Sequence, residues 1–291
     1  MAHVTGNRGL MRDLNTKLAL RHIRRSHTIS QIDLVRRTHL SVGTIVSIVR
    51  ELKAQDFVRE IGPGQSSKGR KPTLLQFNPK AKCIVAAEIY SDETRLVLFD
   101  MAASPIRRDA FPTRLERGPA AVLDELVGGI EGVLAAESIP KDRVLGAGLC
   151  TEGLVDAERG RLLWSARWGW RDVAVKDMVE SRLGLPVWVE SDGHAMVLGE
   201  YLHGVGRGTG NLVALDIDMG IGSVFVADGR IYRGAHQMAG EIGHVTVRPD
   251  GLGCRCGRRG CLETVASGWA ILQRARQAVA EGRLTRLGPE I

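Results

Sequence analysis

The stretch Gly240-Glu241-Ile242-Gly243-His244, followed by Cys254-Arg255-Cys256-Gly257-Arg258-Arg259-Gly260-Cys261-Leu262-Glu263, decides how this chain is read. Three of the five cysteines fall within eight residues, and a histidine lies ten residues before them. Three thiolates and an imidazole match a tetrahedral structural zinc site, because borderline-soft Zn²⁺ accepts sulfur and nitrogen together. The candidate metal ligands are His244, Cys254, Cys256 and Cys261. Four protein ligands close the site, so the ion would stabilise a loop and not activate water. Gly253, Gly257 and Gly260 would let the backbone fold tightly around it. The bland alternative is a cluster of free thiols. Cys83 and Cys150 lie in apolar, strand-like runs and read as small core residues.

Outward from this stretch, the composition is that of a soluble globular protein, 44% hydrophobic and 25% charged. Its 291 residues suffice for two domains. No apolar run is long enough for a transmembrane helix, and the N-terminus lacks the apolar core of a secretion signal. The expectation is a cytoplasmic protein without membrane contact, whose thiols stay reduced and favour metal over disulfides. The net charge of +7 is unevenly spread. Residues 1–80 hold 15 Lys/Arg and 5 Asp/Glu, a balance of +10, whereas residues 81–291 hold 25 and 28, a balance of −3. That asymmetry suggests a polyanion-binding module attached to an ordinary domain, although a merely solvated basic surface would look the same.

Within residues 10–80, Leu14, Leu18, Leu20 and Ile23 space as one helical face ending near Arg25. Ser30 is positioned to cap a second helix through Arg37, with Ile32, Leu34 and Val35 as core candidates. After the turn Thr38-His39-Leu40, Ser41 caps a third helix to about Gln55. There Val42, Ile45, Val49 and Leu52 are expected to pack, while Gly43, Thr44, Ser47 and Arg50 point away. Two short helices joined by a three-residue turn make a helix-turn-helix, whose second helix enters the major groove. Phe57–Ile61 and Thr73–Phe77 read as strands around a basic, glycine-rich loop, which is a wing. The DNA-binding candidates are Ser41, Gly43, Thr44, Ser47 and Arg50 on the helix, with Lys68, Arg70 and Lys71 on the wing. Phosphate contacts from such residues would make affinity salt-dependent. A three-helix interaction module without DNA affinity is the alternative.

The Glu-x-Gly-His and Cys-x-Cys-x₄-Cys-x-Glu pattern resembles the signature of the ROK family (repressors, open reading frames, kinases). The winged module with Gly69-Arg70-Lys71-Pro72 is similar to that of the family's repressor branch. Gly220-Ile221-Gly222 and Asp228–Gly234 look like its second glycine-rich stretch, and Gly184-Leu185-Pro186-Val187 leading to Asp192 resembles the approach to its catalytic aspartate. The resemblance implies an α/β fold: a winged helix-turn-helix over residues 10–80, then an actin-like, ribonuclease H-like two-lobed sugar-kinase domain over 81–291. Family members run on beyond the length of this chain, so the second lobe is expected to be incomplete, exposing apolar surface. The resemblance further implies that Ser191, Asp192, Glu241, His244 and Glu263 bind a sugar. His244 would give one ring nitrogen to zinc and the other to the sugar; a purely structural charged network is the alternative.

Departures from the pattern weigh against kinase activity. Where the family has an Asp-x-Gly-Gly-Thr-like phosphate loop, this chain has Glu88-Ile89-Tyr90-Ser91-Asp92-Glu93-Thr94, which lacks glycines and adds carboxylates that would repel ATP. Ser191 replaces an asparagine before Asp192, Arg167 replaces another before Trp168-Gly169-Trp170, and Glu152-Gly153 replaces a Pro-Gly pair. The expected function is a sugar-responsive DNA-binding transcription regulator, in the repressor sense, with no enzymatic activity. Its partners would be a double-stranded DNA operator, a sugar or sugar phosphate effector, and a second copy in a homodimer or homotetramer. The alternatives are an active ATP-dependent sugar kinase with an added DNA-binding domain, or a regulator with a degenerate pocket.

Overall fold

A computed structural model describes residues 8–64 and 72–283. By its contacts the chain divides into two compact units: one runs to Ile84 and takes in Leu98–Ile106 and Asp142–Leu145, and the other holds Val85–Val97, Arg107–Lys141 and the chain from Gly146.

The first unit opens with helix α1 (Arg8–Arg25), which turns Ala19 and Ile23 fully inward while Leu14 stays half exposed. The expected stripe is therefore rotated toward the C-terminal half of the helix. Strand β1 (Ile29–Ser30) follows, and Ser30 accepts the Asp33 amide at 3.1 Å to cap α2 (Gln31–Thr38). That helix stops at His39, in the left-handed region at φ 56°. Ser41 accepts the Thr44 amide at 3.1 Å and starts α3 (Val42–Ala54). Each serine oxygen satisfies an amide that a helix start leaves unpaired. Two core expectations fail. Ile32 and Val42 are exposed, and Ile48 joins Ile45, Val49 and Leu52 inside. β2 (Val58–Pro63) pairs antiparallel with β3 (Thr73–Phe77), which also carries β1, giving the order β1-β3-β2. One core of Ala19, Ile23, Leu34, Ile45, Val49, Leu52, Val58 and Leu75 joins the helices to this small sheet.

Beyond it run β4 (Cys83–Ile89), β5 (Glu93–Asp100), β6 (Pro105–Pro112), α4 (Gly118–Ala136) and β7 (Val144–Thr151). A small antiparallel sheet follows, built from β8 (Leu154–Asp156), β9 (Arg161–Trp164) and β10 (Arg171–Val173). Helix α5 (Val175–Leu183) leads to β11 (Val187–Ser191), which runs parallel to β7 with Glu190 opposite Cys150 and Ser191 opposite Thr151. A parallel pair needs a long crossover, and residues 152–186 supply it. The larger sheet has the order β11-β7-β4-β5-β6. In β4, Cys83, Val85, Ala87 and Ile89 alternate inward, as a two-residue period requires. In α4, Leu123, Leu126 and Ile130 are fully buried at helical spacing.

Helix α6 (Asp192–His203) starts directly at the end of β11. A second antiparallel sheet contains β12 (Leu212–Ile217), β13 (Ile221–Ala227) and β14 (Arg230–Tyr232). Its inner face packs with Val197 and Tyr201 of α6, while Val213, Leu215 and Ile217 on its other face are exposed. Short α7 (Glu263–Ala266) and α8 (Gly268–Ala280) follow the cysteine loop. The fold is mixed α/β.

Candidate functional site

The loop that precedes α7 gathers four soft donors. One ligand atom from each of His244, Cys254, Cys256 and Cys261 lies within 4.8 Å of the others. Cys256 Sγ is 3.7 Å from Cys261 Sγ, and Cys254 Sγ is 3.5 Å from His244 Nδ1. A tetrahedral zinc with Zn–S near 2.3 Å and Zn–N near 2.0 Å has edges of about 3.8 Å between sulfurs and about 3.5 Å between sulfur and nitrogen. Those two edges match such an ion, and no pair of the four donors is more than 4.8 Å apart. A disulfide needs sulfurs about 2.05 Å apart, and all five cysteines are free. Antiparallel bridges Thr246–Cys261 and Gly253–Arg259 fasten the loop. Gly260, at φ 64°, is obligatory, since a Cβ there would lie 1.5 Å from the Arg248 carbonyl. Gly257 also takes positive φ, whereas Gly253 does not and has open space around it.

His244 faces two ways. Nδ1 looks toward the sulfurs and lies 3.4 Å from Glu263 Oε1, while Nε2 is 3.7 Å from Glu241 Oε2. Glu263 also accepts from the Cys254 thiol at 2.8 Å. Glu241 and Glu263 therefore flank His244 on either side, beside the donor cluster.

Ser191 and Asp192 stand at the carboxyl end of β11, next to that of β7, where open α/β sheets characteristically bind ligands. The Ser191 hydroxyl caps α6. Asp192 Oδ1 accepts the Gly193 amide at 2.8 Å, yet its carboxyl is held above the usual range by burial, with Asp216 and Glu88 opposing ionisation. Cys150 is pushed up to about 12 by burial and by Glu88, Asp192 and Glu190. Three acids, Glu88, Glu190 and Asp192, thus crowd the end of this strand pair.

Two features of this region escaped the sequence. Arg167 and Glu152, both departures from the family pattern, pair with each other at 3.2 Å. Burial raises the Glu152 carboxyl, and Arg167 opposes that rise. Trp168 Nε1 donates to Ser91 Oγ at 3.2 Å beside them, in the turn where the Tyr90 amide bonds the Glu93 carbonyl at 3.0 Å. The second feature is a partly buried triad. Arg233 Nη1 lies 2.9 Å from Glu190 Oε1 and 2.9 Å from His194 Nδ1, and Nη2 also bonds Glu190. Arg233 sits in the glycine-rich stretch and Glu190 directly before Ser191, but no local pattern links residues 43 positions apart.

In the first unit, Gly43 and Arg50 are exposed on α3, while Thr44 and Ser47 are half-buried. The Ser41 hydroxyl is engaged by the Thr44 amide and hydroxyl. Lys68, Arg70 and Lys71 lie outside the described residues.

Three helices with a small sheet, followed by a mixed α/β fold with a three-cysteine loop, match the architecture of a sugar-kinase-like regulator. Comparison with known proteins agrees. A profile of the ROK family matches residues 85–287. The xylose repressor of Bacillus subtilis is 31% identical over 263 residues, spanning 90% of this chain and 68% of the relative. The crystal structure of a ROK family transcriptional regulator, a homologue of E. coli Mlc, covers 97% of this chain and 72% of its own, with 28% identity and a TM-score of 0.79. A ROK family glucokinase from Streptomyces griseus, solved with glucose and AMPPNP, covers 69% of this chain and 62% of its own, with 31% identity and a TM-score of 0.60. The chain belongs to the ROK family, and it is of the repressor type.

Proposed function

We propose that this protein is a sugar-responsive, DNA-binding transcriptional repressor of carbohydrate genes. Residues 10–80 bind the operator through α3, with Lys68, Arg70 and Lys71 on its phosphates, and residues 81–291 sense the effector. His244, Cys254, Cys256 and Cys261 hold a structural zinc ion; the gathering of the four donors within 4.8 Å, with two edges of zinc-like length, supports this. Glu241, His244 and Glu263, with Ser191 and Asp192, take the hydroxyls of a sugar or sugar phosphate. The observation that carries the reading is the double orientation of His244, with one nitrogen on the thiol cluster and the other toward Glu241. An imidazole fixed by a metal keeps its tautomer and orientation, so the hydroxyl-binding groups beside it are preorganised. The protein works as a homodimer or homotetramer in the cytoplasm, because one winged helix reads only a half-site.

The chain does not act as a kinase in this reading. The Tyr90–Glu93 turn carries Asp92 and Glu93 where phosphates would approach, and no glycine opens it. Binding of a sugar must favour one conformation over another to change DNA affinity, and linkage then requires DNA to change sugar affinity by the same factor. The test is fluorescence anisotropy on genomic fragments over a salt series, with and without a sugar panel starting from xylose, after which the B. subtilis relative is named. Salt-dependent binding to one site that a sugar modulates is expected. Absence of any sequence preference at every salt concentration overturns the DNA reading. Sugar-dependent ATP turnover abolished by Asp192→Asn overturns the non-catalytic one.

A further inference from the structure

The outer face of α3 is oddly apolar. Val42 is 66% exposed and Val46 47% exposed, on a helix that already buries Ile45, Ile48, Val49 and Leu52. Val42, Val46 and Arg50 follow one another at a spacing of four, so they form one stripe. Gly43 lies beside the first valine in the first turn of the helix. A Cβ there would meet nothing within 4 Å, and its φ is not in the left-handed region. Glycine in a helix costs about 1 kcal/mol relative to alanine, and nothing inside the unit requires it at this position. A bare backbone next to two projecting methyl-bearing side chains leaves room for a surface that approaches closely.

The charge of the surroundings says what that surface is. The first 80 residues carry the +10 balance, and Arg50 closes the stripe. A protein or lipid partner chosen by valines alone would not need that excess of cations. In the major groove only thymine offers a methyl group, and apolar side chains are its natural contact. We infer that Val42 and Val46 read the 5-methyl groups of thymines in each operator half-site, with Gly43 admitting the DNA backbone and Arg50 held by phosphate or guanine. This rests on the repressor reading proposed above. It deepens that reading by making the half-site thymine-specific at two base steps, through contacts other than hydrogen bonds.

The experiment uses the full chain and DNA that differs by one methyl group at a time. A preferred duplex is selected from a randomised library, and each thymine in it is then replaced singly by uracil. Wild-type protein is expected to lose about fourfold in affinity at one or two positions per half-site, the worth of one buried methyl. V42A and V46A should each bind thymine and uracil equally at one of those positions while still discriminating at the other. G43A should be more heat-stable than wild type and bind the duplex more weakly. If uracil is tolerated everywhere while the selected sequence remains preferred, the thymine inference falls and the repressor reading stands. If no sequence is selected at all, both fall. G43A that gains stability and loses no affinity removes the close approach.

Discussion

The partly buried triad of Glu190, His194 and Arg233 makes the sharpest stability prediction. Burial alone would raise the Glu190 carboxyl. Hydrogen bonds from Arg233, His194 and the Ser191 amide, with the charge of Arg233, reverse this and draw it from the ordinary 4.5 to about 2. The Glu190 side chain is 16% exposed and that of Arg233 26%, so solvent screens the pair in part and the shift sets an upper bound. At 1.36 kcal/mol per pH unit, the shift corresponds to about 3 kcal/mol of folding stability at neutral pH. Arg233→Met keeps much of the side-chain length but strands a carboxylate in the interior, which costs about 3–5 kcal/mol when one partner of such a pair is removed.

The direction with pH follows from the depressed carboxyl. Its contribution is complete above about pH 4.5 and is lost as the pH falls from there toward 2. Asp192 and Glu152, held above their usual range, act in the opposite sense, but they are common to both proteins and cancel in the comparison. Urea unfolding by circular dichroism at pH 7, repeated down to pH 3, should show Arg233→Met less stable by about 3 kcal/mol at neutrality, the gap narrowing with acid. Glu190→Gln/Arg233→Met should recover part of the loss, because no charge is then left stranded. A difference below about 1 kcal/mol at pH 7, or parallel acid curves, would refute the reasoning.

Three further outcomes are expected. Purified protein should carry one zinc per chain by mass spectrometry of the native protein, and Cys256→Ser should lower both the metal content and the melting temperature; a zinc-free, equally stable wild type contradicts the tetrahedral reading. Ile45→Ala empties a fully buried position in the first unit and should cost about 2–5 kcal/mol by thermal unfolding, with loss of operator binding. Glu263→Ala should remove the heat of sugar binding in isothermal titration while leaving salt-dependent DNA binding intact; an unchanged binding isotherm would place the sugar elsewhere.

What was legible in the sequence was what local chemistry determines. Ser30 and Ser41 cap α2 and α3 because a hydroxyl three residues before an unpaired amide reaches it whatever surrounds the helix. The cysteine loop was legible because its three thiols lie within eight residues. Misreadings began where a helix had to choose a side. Val42 and Ile48 are both three positions from Ile45, so periodicity alone could not say which of them completes the buried row; Ile48 is the one that joins the core of the unit. In the same way the spacing puts Leu14 on the inner stripe of α1, which instead centres on Ala19 and Ile23. Arg233 lies in the second glycine-rich stretch and Glu190 just before Ser191-Asp192, but their pairing exists only once β11 and the residues after β14 are brought together.

The bond between Glu152 and Arg167 has an evolutionary consequence. Each residue alone departs from the family pattern, yet together they answer one another, an exposed guanidinium against a half-buried carboxyl. The Ser91 hydroxyl and Arg255 also favour the Glu152 carboxylate, so losing Arg167 thins its support without removing it. The two positions are therefore tied loosely, and either can drift at a cost of about 1 kcal/mol or less.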